Sequence, residues 1–143
     1  MERSRSDVEK KLKDYGVLEN DVPPIIEKLI SEGFLNEKRF ASAFASGKFR
    51  YKKWGRKRII NEMKRKGLSD ELIDSGLAAL SQTEYTKTLD DLLTKKWKQL
   101  ERKIDKDEYD SVMAAKQKLV NYALQKGYEQ DIIWERIKNV VKG

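Results

Sequence analysis

Apolar residues recur at intervals of three and four along almost the whole chain. Val22, Ile26, Leu29 and Ile30 form one such set, Leu72, Ile73, Gly76, Leu77 and Leu80 a second, and Leu89, Leu92, Leu93, Leu100 and Ile104 a third. At this spacing one face of an α-helix becomes apolar. No stretch of comparable length alternates with a period of two, so the pattern predicts an all-α fold. Helix-start signals agree: Asp21 precedes the Pro23–Pro24 pair, Asn36 precedes Glu37, and Ser69 precedes Asp70 and Glu71. Helices are expected near 5–15, 21–32, 36–51, 55–66, 69–81, 84–103, 107–126 and 129–142.

A short phrase repeats within this pattern. LKDYGV (12–17), LISEGF (29–34), MKRKGL (63–68) and ALQKGY (123–128) each set an apolar residue four before a glycine and another just after it. Such a phrase ends a helix on a left-handed glycine, with the next apolar residue packing back. Two longer passages, INEMKRKGLSDELIDSGLAAL and LVNYALQKGYEQDIIWERIKNV, share the order helix, glycine, apolar residue, acidic start and helix, and Gly67 and Gly127 lie 60 positions apart. Tandem helical units, each burying its apolar face on the next, account for that spacing and predict an elongated, curved molecule.

Composition narrows the chemistry. The 143 residues suit about one domain, with 38% charged and 38% hydrophobic positions. Without Cys or His the chain makes no disulfide, no Cys/His zinc site, no thiolate nucleophile and no imidazole base. The eight glycines never form GxGxxG or GxxxxGK[ST], which argues against a nucleotide-binding enzyme. No stretch has the length of a membrane span and the start lacks an apolar leader, so a cytoplasmic protein with no membrane partner is expected.

Charge is concentrated in one place. Lys and Arg total 31 against 24 acids, a net +7, and residues 48–66 hold ten bases with Glu62 as the lone acid. That segment carries +9, and the other 21 bases and 23 acids sum to −2. An anionic partner is implied. On the helix expected from 55, Ile59, Ile60 and Met63 make one side, while Lys57, Arg58, Lys64 and Arg65 surround Asn61 on the other. A solvated helix face normally interleaves acids, and this one does not.

The run LNEKRFASAFASGKFRYKKWGRKRIINEMKRKGL (35–68) resembles the signature segment of the RecX regulatory proteins, which modulate the RecA recombinase. The matching positions are Leu35, Asn36 where Asp is frequent, Arg39, Phe40, Ala41, Phe44, Lys48, Gly55, Arg58, Ile59, Glu62, Met63 where Leu is usual, Lys66 and Gly67. Trp54 stands where the family often has Tyr. The last unit, with Gly127 and Ile132, fits too, and the likeness weakens after about Leu80. The resemblance implies three tandem three-helix units, 1–51, 52–104 with the basic helix, and 105–143, the last with room for only part of its third helix.

It also implies a non-enzymatic inhibitor that lodges in the groove of a RecA–DNA filament. Such a protein bridges neighbouring protomers and restrains ATPase, strand exchange and filament growth, within recombination, DNA repair and the SOS response. The expected partners are the RecA filament and single- or double-stranded DNA; a monomer without cofactor, metal or catalytic residue is expected. The expected contact residues are Arg39, Lys48, Arg50, Lys52, Lys53, Arg56, Lys57, Arg58, Lys64, Arg65 and Lys66.

The aromatics of the basic segment sort by helical phase. Phe40, Phe44, Gly47 and Tyr51 share a stripe, so Tyr51 is expected in the core, and Phe49 points the other way, either packed between units or exposed. Trp54 either wedges between two helices or offers its indole for stacking, which makes Trp54 and Phe49 the candidate stacking residues. Trp97 and Trp134 are expected in the core. Carboxylates that could be proposed for acid–base or magnesium chemistry, Asp90 with Asp91 and Asp105, Asp107, Glu108 and Asp110, read better as helix starts and exposed faces. Two other readings remain, a nucleic-acid-binding helical module with no RecA partner and a scaffold for another acidic protein.

Overall fold

The computed structural model describes residues 3–141, and among them are eight α-helices and no strand. They are α1 (Arg5–Asp14), α2 (Val22–Ser31), α3 (Glu37–Lys52), α4 (Arg56–Arg65), α5 (Asp70–Ala78), α6 (Gln82–Glu101), α7 (Tyr109–Lys126) and α8 (Gln130–Val140), with a 3-10 turn over Glu19–Asp21. Each expected helix is present with ends shifted by three residues or fewer. Residue 142, where the last was expected to stop, lies outside the described residues.

Hydroxyl and amide side chains start four of these helices, α1, α3, α5 and α6. Asn36 Oδ1 accepts the Arg39 N–H at 3.0 Å and Ser69 Oγ the Leu72 N–H at 3.3 Å. Ser4 and Ser81 do the same for the N–H groups of Asp7 and Glu84, at 3.2 and 3.3 Å. Asp21 makes no such bond; it closes the 3-10 turn, and the proline pair sets the first turn of α2.

The repeated phrase becomes a repeated closure. At Gly127, with φ +99°, its N–H donates to the Leu124 carbonyl at 3.0 Å and the Tyr128 N–H to the Ala123 carbonyl at 3.2 Å. Gly67 closes α4 identically through Lys64 and Met63, at 3.0 and 3.2 Å, and the pattern recurs at Gly16 and Gly33. Leu68 and Tyr128 then pack back into buried positions. The second phrase differs in one respect: Phe34 stays 73% exposed, and Leu35 takes the buried place.

Packing divides the chain into two compact units, Met1–Lys48 with Ile60–Leu80, and Phe49–Ile59 with Ser81–Gly143. The helices α3 and α4 therefore each lend one end to either unit.

In the first unit Val22, Ile26 and Leu35 form a buried cluster, with Val8, Leu12, Val17 and Leu29 against it. Gly76 lets α5 approach closely, for a Cβ there would stand 2.8 Å from the Ala41 carbonyl oxygen and 2.9 Å from Met63 Cε. The start of α1 meets the end of α4, where Ser6 Oγ donates to the Lys66 carbonyl and Lys66 Nζ lies 3.5 Å from the Asp7 carboxylate.

In the second unit α6, α7 and α8 pack on one another around Leu89, Leu93, Leu119, Val120, Ile133 and Ile137. Here the start of α4 meets the end of α7. Gly55 N–H donates to the Lys126 carbonyl at 2.8 Å and Lys57 N–H to the Gly127 carbonyl at 2.9 Å. These are free donors of a helix start meeting free acceptors of a helix end.

The expectation that Tyr51 belongs to the core is overturned: it is 86% exposed. The buried stripe of α3 runs through Ala41, Ala45 and Phe49, at increments of four, with Phe40 beside it. Two alanines, both fully buried, carry this face, and α5 comes close to it at Ala41 through Gly76. Counting only large apolar residues selected the wrong stripe. Trp97 and Trp134 are half-buried rather than fully in the core.

Gly55 has no side chain because none fits: a Cβ there would lie 2.4 Å from the carbonyl carbon and oxygen of Gly127 and from the Tyr128 nitrogen. Gly55→Ala is expected to destabilise the protein by at least about 1–3 kcal/mol, since backbone has to move. Gly47, inside α3 with nothing within 4 Å of a built Cβ, gives the control. Gly47→Ala is expected to stabilise by about 0.5–1 kcal/mol. Urea unfolding of both variants measures the contrast.

Candidate functional site

The basic segment runs from the end of α3 through α4, and its cations differ in what they touch. Arg50, Lys52, Lys53, Lys57, Arg58, Lys64 and Arg65 are exposed, whereas Lys48, Arg56 and Lys66 are half-buried. Along α4 the exposed bases alternate with buried Ile59 and Met63. The segment is one-sided, as its sequence implies.

Three of the expected contact residues are committed within the fold. Lys66 pairs with Asp7 and lies 5.8 and 5.7 Å from the ring centroids of Phe40 and Phe44. Lys48 Nζ sits 5.4 Å from the centroid of Phe44. Arg56 is held most firmly: Nη1 lies 2.8 Å from a Glu129 carboxylate oxygen, Nη2 donates to Gln82 Oε1, and the guanidinium covers the Tyr85 ring at 3.9 Å. Arg39 is exposed and donates to the Gly33 carbonyl at 3.3 Å. Arg65 reaches Glu62 at 3.3 Å with its side chain 79% exposed, a pair that water and salt screen.

Around Arg56 lies a network that spacing along the sequence did not reveal. Tyr85 is fully buried, accepts the Arg56 backbone N–H at 2.9 Å and donates its hydroxyl to Glu129. The Phe49 ring stacks on Tyr85 at 5.7 Å between centroids, and Tyr128 follows at 5.0 Å. Tyr128 donates to the Lys53 carbonyl at 3.0 Å, fixing the turn where Lys53 takes φ +60°. Burial raises the hydroxyl pKa of Tyr85 far above its ordinary value, and the Glu129 carboxylate raises it further. Tyr128 is shifted the same way by burial and by the charge of Glu129.

The two candidate stacking residues are placed differently. Phe49 is 3% exposed and belongs to this aromatic core. Trp54 is half-buried, with the Arg58 guanidinium 4.3 Å from its ring, and Arg58 also donates to the Gln125 carbonyl at 3.4 Å. Trp54 thus stacks on an arginine of its own chain.

Two of the carboxylates singled out in the sequence, Asp90 and Asp105, hold the fold. Asp90 receives Arg136 through two bonds of 2.8 and 2.6 Å, which raise the arginine's pKa. Asp105 accepts the Asp107 N–H at 3.0 Å in the turn before α7. Among the described residues no group of three or more acids is placed to hold a metal ion, and no helix is long and apolar enough to cross a membrane.

Comparison with known proteins places the basic segment in a family context. A family model described as the second three-helix domain of RecX matches residues 36–77, which span α3 to α5. The regulatory protein RecX of Mycobacterium sp. (strain KMS) is 26% identical over 130 residues, 91% of this chain and 69% of that protein. The regulatory protein RecX of Bacillus licheniformis is 28% identical over 131 residues, 92% of this chain and 47% of its own length. Among solved structures, RecX from Lactobacillus salivarius superposes with a TM-score of 0.86 over 98% of this chain and 86% of that one, at 24% identity. At that identity the likeness speaks for the shared all-α fold.

Removing the Tyr85 hydroxyl tests the network. Tyr85→Phe leaves the Arg56 N–H and the Glu129 carboxylate each short of a partner, an expected loss of about 1–3 kcal/mol in urea unfolding. Both buried tyrosines hold their protons more tightly folded than unfolded, so their contribution to stability is constant below about pH 10 and is lost as pH rises above it. The fall is expected to be shallower in Tyr85→Phe, where one of the two titrating groups is gone.

Proposed function

Because the chain belongs to the RecX family of regulatory proteins, we propose that it acts without catalysis on the RecA recombinase, binding in the groove of the RecA–DNA filament and restraining ATPase, strand exchange and filament growth. The observation that carries this reading is the family match over 36–77, which includes the basic helix α4. The exposed cations of that segment give the reading a physical means. They can meet phosphates, or pair with carboxylates of a protein partner through the planar guanidinium of arginine. Without His or Cys, the chain has neither an imidazole base nor a thiolate with which to do chemistry there.

The structure also refines which cations to vary. Lys57, Lys64 and Arg65 are exposed, whereas Arg56 and Arg58 hold Glu129, Gln125 and Trp54. Charge reversal at the first three changes the field with little cost to packing.

The single-strand-dependent ATPase of RecA, titrated with this protein while DNA is in excess, tests the proposal. Inhibition is expected at protein levels well below those of RecA, since excess DNA removes simple sequestration as a cause. The triple variant Lys57→Glu, Lys64→Glu, Arg65→Glu is expected to lose inhibition with its helical circular dichroism unchanged. An undiminished ATPase with the unmodified protein would falsify the RecA reading. Salt-sensitive DNA binding in that case would select a nucleic-acid-binding module with no RecA partner.

A further inference from the structure

Among the described residues, Tyr51 is the most exposed large hydrophobic one, at 86%. It lies two residues from Phe49, about 200° round the helix, so burial of Phe49 against Tyr85 turns Tyr51 outward. The other aromatics packed at this end of α3 are enclosed: Phe49, Tyr85 and Tyr128 are buried, and Trp54 is half-buried under Arg58. Tyr51 alone among them keeps its ring open.

Its neighbours are cations. Arg50, Lys52 and Lys53 are exposed on either side of it, and Lys126 comes from α7 to place Nζ 3.4 Å from the Lys52 carbonyl. Arg50 and Lys53 also line a recess of about 260 Å³ with Lys87, Glu84 and Asp91, so acids sit on that flank. The bases still outnumber them. An open aromatic ring with exposed cations at the flanking positions of the chain suits one class of ligand, a single strand, whose unpaired bases stack while its phosphates meet the cations.

We propose that Tyr51 is a base-stacking residue for single-stranded nucleic acid, with Arg50, Lys52, Lys53 and Lys126 around it as phosphate contacts. This rests on the DNA-bound role proposed above and assigns the base contact to a side chain of the second unit. A duplex keeps its bases stacked on one another and offers the ring nothing comparable.

The test is binding of a labelled single-stranded oligothymidylate and of a duplex, followed by fluorescence anisotropy across a salt series. Tyr51→Ala is expected to weaken single-strand binding about five- to 150-fold, the effect of losing one base–aromatic stack, with the salt slope unchanged. Tyr51→Phe keeps the ring and the affinity, and duplex binding by Tyr51→Ala stays at the level of the unmodified protein. Lys52→Gln should instead reduce the salt slope by about 0.7, one phosphate's worth. Single-strand affinity in Tyr51→Ala equal to the parent, or no single-strand binding by the parent, overturns the assignment. RecA ATPase measured on the same samples separates the two readings: inhibition with an inert Tyr51 sinks only the stacking role. Stacking without inhibition sinks only the RecA role.

Discussion

The contact between Gly55 and Gly127 is the constraint on which the second unit depends. The start of a helix offers N–H groups with no partner in its own turn, and the end of another offers unpaired carbonyls. In this protein the two ends satisfy each other, Gly55 and Lys57 donating to Lys126 and Gly127 at 2.8 and 2.9 Å. Bonds that short across two backbones leave no space for a Cβ on either glycine, and the opposing partial charges of the two helix ends add to the attraction. Around the contact Tyr85 accepts the Arg56 N–H between those two donors, Glu129 takes the Arg56 guanidinium, and Tyr128 ties down Lys53. The first unit joins the start of α1 to the end of α4 in a related way, Ser6 standing 3.7 Å from a Cβ built on Gly67. The glycines 60 residues apart in the sequence therefore close two comparable junctions.

Charge density alone does not identify the surface that meets a partner. Lys66 and Arg56 lie in the basic segment, yet each spends its cation within its own unit, on Asp7 and on Glu129. Arg58 covers Trp54. What remains for a ligand is the set of lysines and arginines whose side chains reach water, together with one tyrosine. Arginine's flat guanidinium suits it to rings and carboxylates of its own chain, as Arg56 on Tyr85 and Glu129 and Arg58 on Trp54.

Most of the helices could be read from the chain because their apolar spacing, their caps and their closing glycines all agree. Ser4 and Ser81, each followed three residues later by an acid, are two further caps that the helix-start signals named above do not include. Tyr51 was misplaced for a physical reason: helix packing here is close, and close packing is marked by Ala41, Ala45 and Gly76 rather than by large side chains. The Tyr85–Glu129–Arg56 network was not legible. Its members lie 29, 44 and 73 positions apart, and only the folded chain brings them together. The exposed bases of α4 followed directly from phase, but the inward turn of Arg56 depended on those distant partners.

The junction at Gly55 also limits how the sequence can drift. A side chain there would strike the carbonyl group of Gly127 and the nitrogen of Tyr128, atoms that every amino acid carries. In a core of interlocking side chains, a residue grown too large is accommodated when a neighbour becomes smaller. No such second-site suppressor exists where the obstacle is backbone. Gly55 and Gly127 are thus a pair that no compensating change of side chain releases.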